Sequence, residues 1–146
     1  MDSNTALVTG ASRGIGAAIA EELVRLGYFV FGTATSQVGA EKISDRLQSR
    51  GRGLILRVQD QTSVDSAFKE MLEAAAAPSV IVNNAGITRD NLMLRMSADE
   101  WQDVVDTNLN GAFRVTKAAL RSMIKARWGR VINVGSVVAR LGNPGQ

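Results

Sequence analysis

The stretch "TGASRGIG", residues 9–16, decides the fold of this 146-residue chain. It follows the apolar run "TALV" and leads into "AAIAEELVRLG", where Ile19, Leu23 and Leu26 recur at helical spacing up to Gly27. Glycines 10, 14 and 16 therefore stand in a strand–turn–helix setting. A tight turn there calls for residues without a Cβ penalty, and the backbone must come close to a phosphate. The start of the helix adds unpaired N–H groups and a positive dipole end. Gly10, Ser12, Arg13, Gly14, Ile15 and Gly16 are accordingly read as a dinucleotide-binding loop. No Lys-Ser/Thr pair closes it, which argues against a triphosphate-binding loop.

Outward from the loop, short apolar runs alternate with helical stretches. "YFVFGT" (28–33) reads as a second strand. "VGAEKISDRLQSRG" (38–51) reads as a helix carrying Ile43 and Leu47 and closed by Gly51. "GLILRV" (53–58) is a third strand, followed by the helix "SVDSAFKEMLEAAAA" (63–77) with Thr62 or Ser63 as its N-cap. "PSVIVNNAG" (78–86) is a fourth strand running into a polar turn. Residues 97–127 form the longest helical region, opened by a Ser97/Glu100 capping box. Residues 108–111 are poor helix material and are expected to bend or interrupt it. "GRVINVGS" (129–136) is a fifth strand. Five such alternations predict an α/β fold, a Rossmann-type doubly wound parallel sheet in one domain over residues 1–146.

Composition narrows the chemistry. The chain is 45% hydrophobic and 21% charged, ordinary for a soluble globular domain. It has no Cys and no His, so a disulfide scaffold, a thiolate nucleophile and the commonest metal ligands are excluded, and no metal site is expected. No apolar run reaches membrane-spanning length, and Met1 leads into Asp2-Ser3-Asn4 rather than a basic, apolar leader. No membrane partner is expected, and the cytoplasm is the expected location. A net charge of +3 is too mild to imply nucleic acid. The basic residues are unevenly placed, however: Arg114, Lys117, Arg121, Lys125, Arg127 and Arg130 form either a solvated face or a docking patch for something acidic.

The choice of cofactor rests on the residues at the end of the second strand and just beyond it. No Asp or Glu stands there to bond an adenosine ribose 2′-hydroxyl, whereas Arg13 and the hydroxyls of Thr33, Thr35 and Ser36 suit an added phosphate. NADPH (NADP+) is the expected cofactor. Asp60 reads either as an acceptor for the adenine amino group or as a helix cap. Asn84 reads as a brace for a strand tip, with Ala85 and Gly86 leaving room for a ribose or nicotinamide.

The motifs "LVTGASRGIG", "GTATS", "NNAGITRDNL", "TNLNGAFRVTKAA" and "GRVINVGSVVARLGNPGQ" together resemble the short-chain dehydrogenase/reductase family, with the stronger likeness to its bacterial 3-oxoacyl-[acyl-carrier-protein] reductases. The resemblance covers the whole chain but only the amino-terminal part of a family member. It implies hydride transfer to a β-keto carbon, in fatty acid biosynthesis. It makes Ser136 a donor to the substrate carbonyl oxygen rather than a nucleophile, and Asn108 part of a relay to a catalytic lysine. It places Arg13 and Thr35 at the 2′-phosphate, Asp60 by the adenine, and Asn84, Ala85 and Gly86 along the cofactor. It gives Arg127 to docking of an acidic acyl carrier protein, and residues 97–127 to the interface of a homo-tetramer. The family's proton donor is the tyrosine of a Tyr-x-x-x-Lys motif, expected just beyond Gln146. The sole tyrosine here, Tyr28, opens the second strand. The 146-residue chain alone is therefore expected to be inactive, with a non-catalytic nucleotide-binding or subunit-association fragment, or a reductase of another small ketone, as the alternatives.

Overall fold

Strands β1 (Thr5–Val8), β2 (Phe29–Ala34), β3 (Gly51–Ile55), β4 (Val80–Asn83) and β5 (Arg130–Asn133) form one parallel sheet in the computed structural model, which describes residues 4–146. Their order is β3-β2-β1-β4-β5. The chain winds outward from β1 through β3, then returns to lay β4 on the other side of β1. The direction of winding thus reverses between β1 and β4, and the strand ends there open a crevice. This is the expected α/β Rossmann-type sheet. Helices α1 (Gly14–Arg25), α2 (Gln37–Leu47), α3 (Gln61–Ala74) and α5 (Gly111–Ala126) cover it, and α4 (Ala98–Val105), with no buried residue, leads into α5.

Alternate strand residues point to opposite faces, which splits the interior into two clusters. Leu7, Phe31 and Ile81 pack with Val64, Phe68 and Met71 of α3 and Val115 and Ala119 of α5. Ala6, Val8, Val30 and Val82 pack with Ala20 of α1 and Ile43 and Leu47 of α2. Tyr28 is half-buried against this second cluster. Gly27 closes α1 as expected, at φ +91°. Of the residues at helical spacing, Ile19 and Leu23 pack against the second cluster while Leu26, the C-cap, is exposed; Gly16, Ala17 and Ala20 are the buried residues of α1.

Two helix ends differ from expectation. Gly51 does not close α2: Gln48 takes the left-handed conformation at φ 51°, a short 3₁₀ turn follows, and Gly51 begins β3 in extended backbone. Gly51 and Gly53 are instead demanded by close packing. A Cβ on Gly53 would overlap the Ala40 carbonyl of α2, and one on Gly51 would collide with Val30 O. Ser44 Oγ accepts the outward N–H of Gly53 at 2.9 Å, and Gly51 N–H bonds to Gln48 O. The second difference is at α3, whose N-cap is Asp60, accepting from Thr62 N–H at 2.9 Å, and not Thr62 or Ser63. Ser63 Oγ accepts from Arg57 N–H.

The capping box at Ser97 and Glu100 is formed in both directions. Residues Asp106–Asn110 make a single π-helical turn between α4 and α5, so the poor helix material widens the helix without breaking it. Along α4 and α5, Trp101, Leu109, Phe113 and Ile124 remain exposed. All four residues of β5 are exposed as well. No helix among the described residues is long and apolar enough to cross a membrane.

Candidate functional site

The glycine loop lies at the crevice. Gly10 and Gly14 hold φ of +65° and +58°, a region that L side chains rarely adopt. Gly16 is needed for a different reason: a Cβ there would run into the Gly10 carbonyl and Asn84 Nδ2. Among the described residues, the N–H groups of Ser12, Arg13, Gly14, Ile15 and Gly16 have no internal acceptor. Five unpaired donors around a helix start are an arrangement able to take an anion.

The turn after β4 is stitched to this loop. Asn84 Nδ2 donates to Thr9 O at 3.0 Å and Gly10 O at 3.1 Å. In return, Thr9 Oγ1 accepts the N–H groups of Asn84 and Ala85, both at 3.0 Å. Asn84 thus braces a strand tip, as its position suggested, and Thr9 is the partner that sequence reasoning missed. The "VTG" that precedes the loop was the available signal. Ala85 is partly buried against the core, while Gly86 is exposed; a Cβ on Gly86 would meet Asn108 Oδ1 at 3.3 Å.

Asn108 sits on the π turn, and its side chain bonds both backbone groups of Ile87. The turn itself is held by Arg114, which pairs with Asp106 Oδ1 at 2.8 Å and donates to Val58 O at 3.3 Å. Gln59 adds a 2.8 Å bond to the buried Thr107 hydroxyl. The Arg114 guanidinium, followed by Asn110, holds the Asp106 carboxyl below the usual range. Arg114 is therefore a strut within the fold rather than a member of a free basic patch. Lys117 lies over the Phe113 ring and Arg130 over Trp128, while Arg127 is exposed at the C-cap of α5 with φ 52°.

On the other side of the glycine loop stand Arg13 and Thr35, both exposed. Thr33 is 1% exposed and offers no hydroxyl to a ligand, a correction to its expected role. Ser36 is the N-cap of α2 and accepts from Gly39 N–H. The capping half of the Asp60 reading is realised through Oδ1.

Ser136 follows β5, exposed, and its Oγ accepts the Val138 N–H at 3.3 Å. Its strand is tied inward by Asn83, which donates to Asn133 Oδ1 at 2.8 Å and to Thr116 Oγ1 at 3.0 Å. Asn83 Oδ1 is buried without a partner. No hydrogen bond joins Ser136 to Asn108 among the described residues.

Comparison with known proteins agrees with this geometry. The family model described as short chain dehydrogenase matches residues 4–146. The 3-oxoacyl-[acyl-carrier-protein] reductase FabG of Pseudomonas aeruginosa is 56% identical over all of this chain and 60% of its own length. The proteins of the same name from Haemophilus influenzae and Escherichia coli are 53% and 52% identical, over 100% and 99% of this chain and 60% and 59% of their own lengths. The chain thus spans about three-fifths of the length of these relatives.

Proposed function

The chain belongs to the short chain dehydrogenase family, and from that premise we propose that it forms the cofactor-binding part of an NADPH-dependent 3-oxoacyl-[acyl-carrier-protein] reductase. The observation that carries this is the double seam between Thr9-Gly10 and Asn84-Ala85. It brings the glycine loop and the turn after β4 together at the point where the winding reverses, the place where such sheets take a dinucleotide.

The residues present fit that group. Gly16 lets the start of α1 pack against the Gly10 carbonyl and Asn84, and five unpaired N–H groups stand at that helix start. Gly10, Ser12, Gly14, Ile15 and Gly16 would hold the pyrophosphate side, Arg13 and Thr35 the adenosine 2′-phosphate, Asp60 the adenine, and Asn84, Ala85 and Gly86 the nicotinamide side. When bound, NADPH supplies a hydride for the β-carbonyl carbon. Ser136 orients that carbonyl. Its oxygen already accepts from Val138, so the O–H proton remains free to be donated to a developing alkoxide. Asn108 fixes the peptide at Ile87, just past the Asn84–Gly86 turn. Within these 146 residues no second tyrosine joins Tyr28, and Tyr28 packs against the core. Tyr28 is therefore not placed as a proton donor to a carbonyl held by Ser136.

Arg127, exposed at the end of α5, would meet an acidic carrier protein. The exposed Trp101, Phe113 and Ile124 support a subunit interface in a cytoplasmic tetramer. Two measurements test the reading. Titration with NADPH and NADH is expected to show tighter binding of NADPH; equal affinities would overturn that preference. NADPH oxidation with an acetoacetyl thioester is expected for the intact reductase and not for the 146-residue chain alone; turnover by the chain would overturn the assignment of the proton donor.

A further inference from the structure

Arg46 belongs to the last turn of α2, yet its side chain leaves that helix for the glycine loop. Nη1 donates to the carbonyl oxygens of Ala11 at 3.3 Å and Ser12 at 3.4 Å, while Nε lies 3.3 Å from Glu21 Oε1 on α1. Only 33% of the side-chain surface is accessible, so the guanidinium is held against the fold.

A trans peptide carries its C=O and N–H on opposite sides of one plane. Holding the Ala11 and Ser12 oxygens toward Arg46 therefore turns the N–H groups of Ser12 and Arg13 the other way. Neither N–H has an acceptor among the described residues. The corner they border also contains the start of α2: a Cβ on Gly39 would lie 3.8 Å from Ser12 Cβ, and Ser36, next to Thr35, caps that helix. Both bonds are at the long end of the hydrogen-bond range, so either alone is modest. Their joint effect is directional, because one Nη1 amino group reaches two successive carbonyls while Nε of the same planar group is held at Glu21.

We infer that Arg46 is a positioning residue for the adenosine 2′-phosphate: it aims the Ser12 and Arg13 peptides at that group and adds a positive charge behind them. This rests on the NADPH reading above. Arg46 touches no part of the reacting atoms and acts through the loop.

The test uses two probes on the full 146-residue chain, 2′,5′-ADP and 5′-AMP, which differ only in the 2′-phosphate. Binding is measured by calorimetry, and the melting temperature of each variant is recorded. Arg46→Met is expected to weaken 2′,5′-ADP about tenfold, the scale of a lost charged hydrogen bond, while leaving 5′-AMP nearly unchanged. Arg46→Lys keeps the charge without the planar group that is anchored at Glu21 and is expected to fall between. Glu21→Gln, which removes only the carboxylate partner, is expected to keep the preference. If Arg46→Met weakens both probes equally, in step with a fall in melting temperature, Arg46 is only a strut between helices and the proposal fails. It also fails if the ratio of the two affinities stays at the wild-type value. A wild-type chain with no preference for 2′,5′-ADP overturns the NADPH reading itself and this role with it.

Discussion

Asn108 and Ile87 are joined at two points: Oδ1 accepts the Ile87 N–H at 2.9 Å, and Nδ2 donates to the Ile87 carbonyl at 2.9 Å. An amide side chain here does the work of a neighbouring strand for one residue of an otherwise irregular segment. Asn108→Leu removes both bonds and is expected to speed hydrogen exchange at the Ile87 amide by about tenfold, the scale of one lost bond. Asn108→Asp keeps the acceptor and should retain most of the protection. Exchange unchanged in Asn108→Leu would show that the clamp does not hold the segment.

Gly16 and Gly14 separate two meanings of glycine. Gly16→Ala forces a methyl group into Gly10 O and Asn84 Nδ2, backbone and a bonded amide that cannot yield cheaply. It is expected to lower stability by about 3 kcal/mol, as an overpacked site does, and to abolish dinucleotide binding. Gly14→Ala meets open space and pays only for its φ of +58°, about 1 kcal/mol. Urea denaturation of the two variants checks the ranking, and equal losses would contradict it.

The carboxyls of Asp106 and Glu100 both lie below their usual range. Arg114 and then Asn110 lower the first; the Ser97 N–H and then the Asn91 amide lower the second. A group depressed on folding stabilises the fold above its unfolded pKa, and that contribution is lost as pH falls through the folded value. Stability is therefore expected to fall on acidification below the ordinary carboxylate range. Asp106→Asn combined with Glu100→Gln should flatten the acid limb of a plot of melting temperature against pH. An unchanged slope would mean that other carboxylates dominate.

Strand β5 pairs with β4 on one side only, and Val131, Ile132 and Val134 are partly exposed. Such an edge is a template for pairing with another chain. The isolated chain is expected to self-associate in sedimentation velocity. Ile132→Lys, which sets a charge on that strand, should raise the monomer fraction. A wild-type chain that stays monomeric at tens of micromolar concentration, as a rough guide, would count against an adhesive edge.

The sheet was legible because each run had a period to read. Leu7 against Ala6 and Val8 shows the alternation that assigns two faces, and Gly27 ends α1 where a left-handed residue was wanted. Helix ends were less legible. Gly51 looked like a helix stop but is required by the closeness of Val30 and Leu47, a tertiary contact with no local signature. Thr62 and Ser63 are good cap residues, yet Asp60 reaches the free N–H first. In the site, the glycines and Asn84 announced themselves through loop chemistry. Arg46, thirty-five residues from Ala11, did not, because a long side chain crossing between helices leaves no spacing to recognise. Arg114 misled for the related reason that a cation's sequence neighbours do not reveal its partner, here Asp106 together with Val58 O.

The bonds that Gly51 and Gly53 make with their own chain leave the two flanks of the sheet unequal. At the β3 flank the outward amides of Gly51 and Gly53 are already occupied, by Gln48 O and Ser44 Oγ, and α2 lies directly on the glycines, so that of the outward amides among the described residues the one at Ile55 is left for a neighbour. The β5 flank has no such plug. Strand pairing between copies of this chain is thus directed to one flank: two molecules would join through β5 in preference to β3, where the chain's own bonds compete with a newcomer.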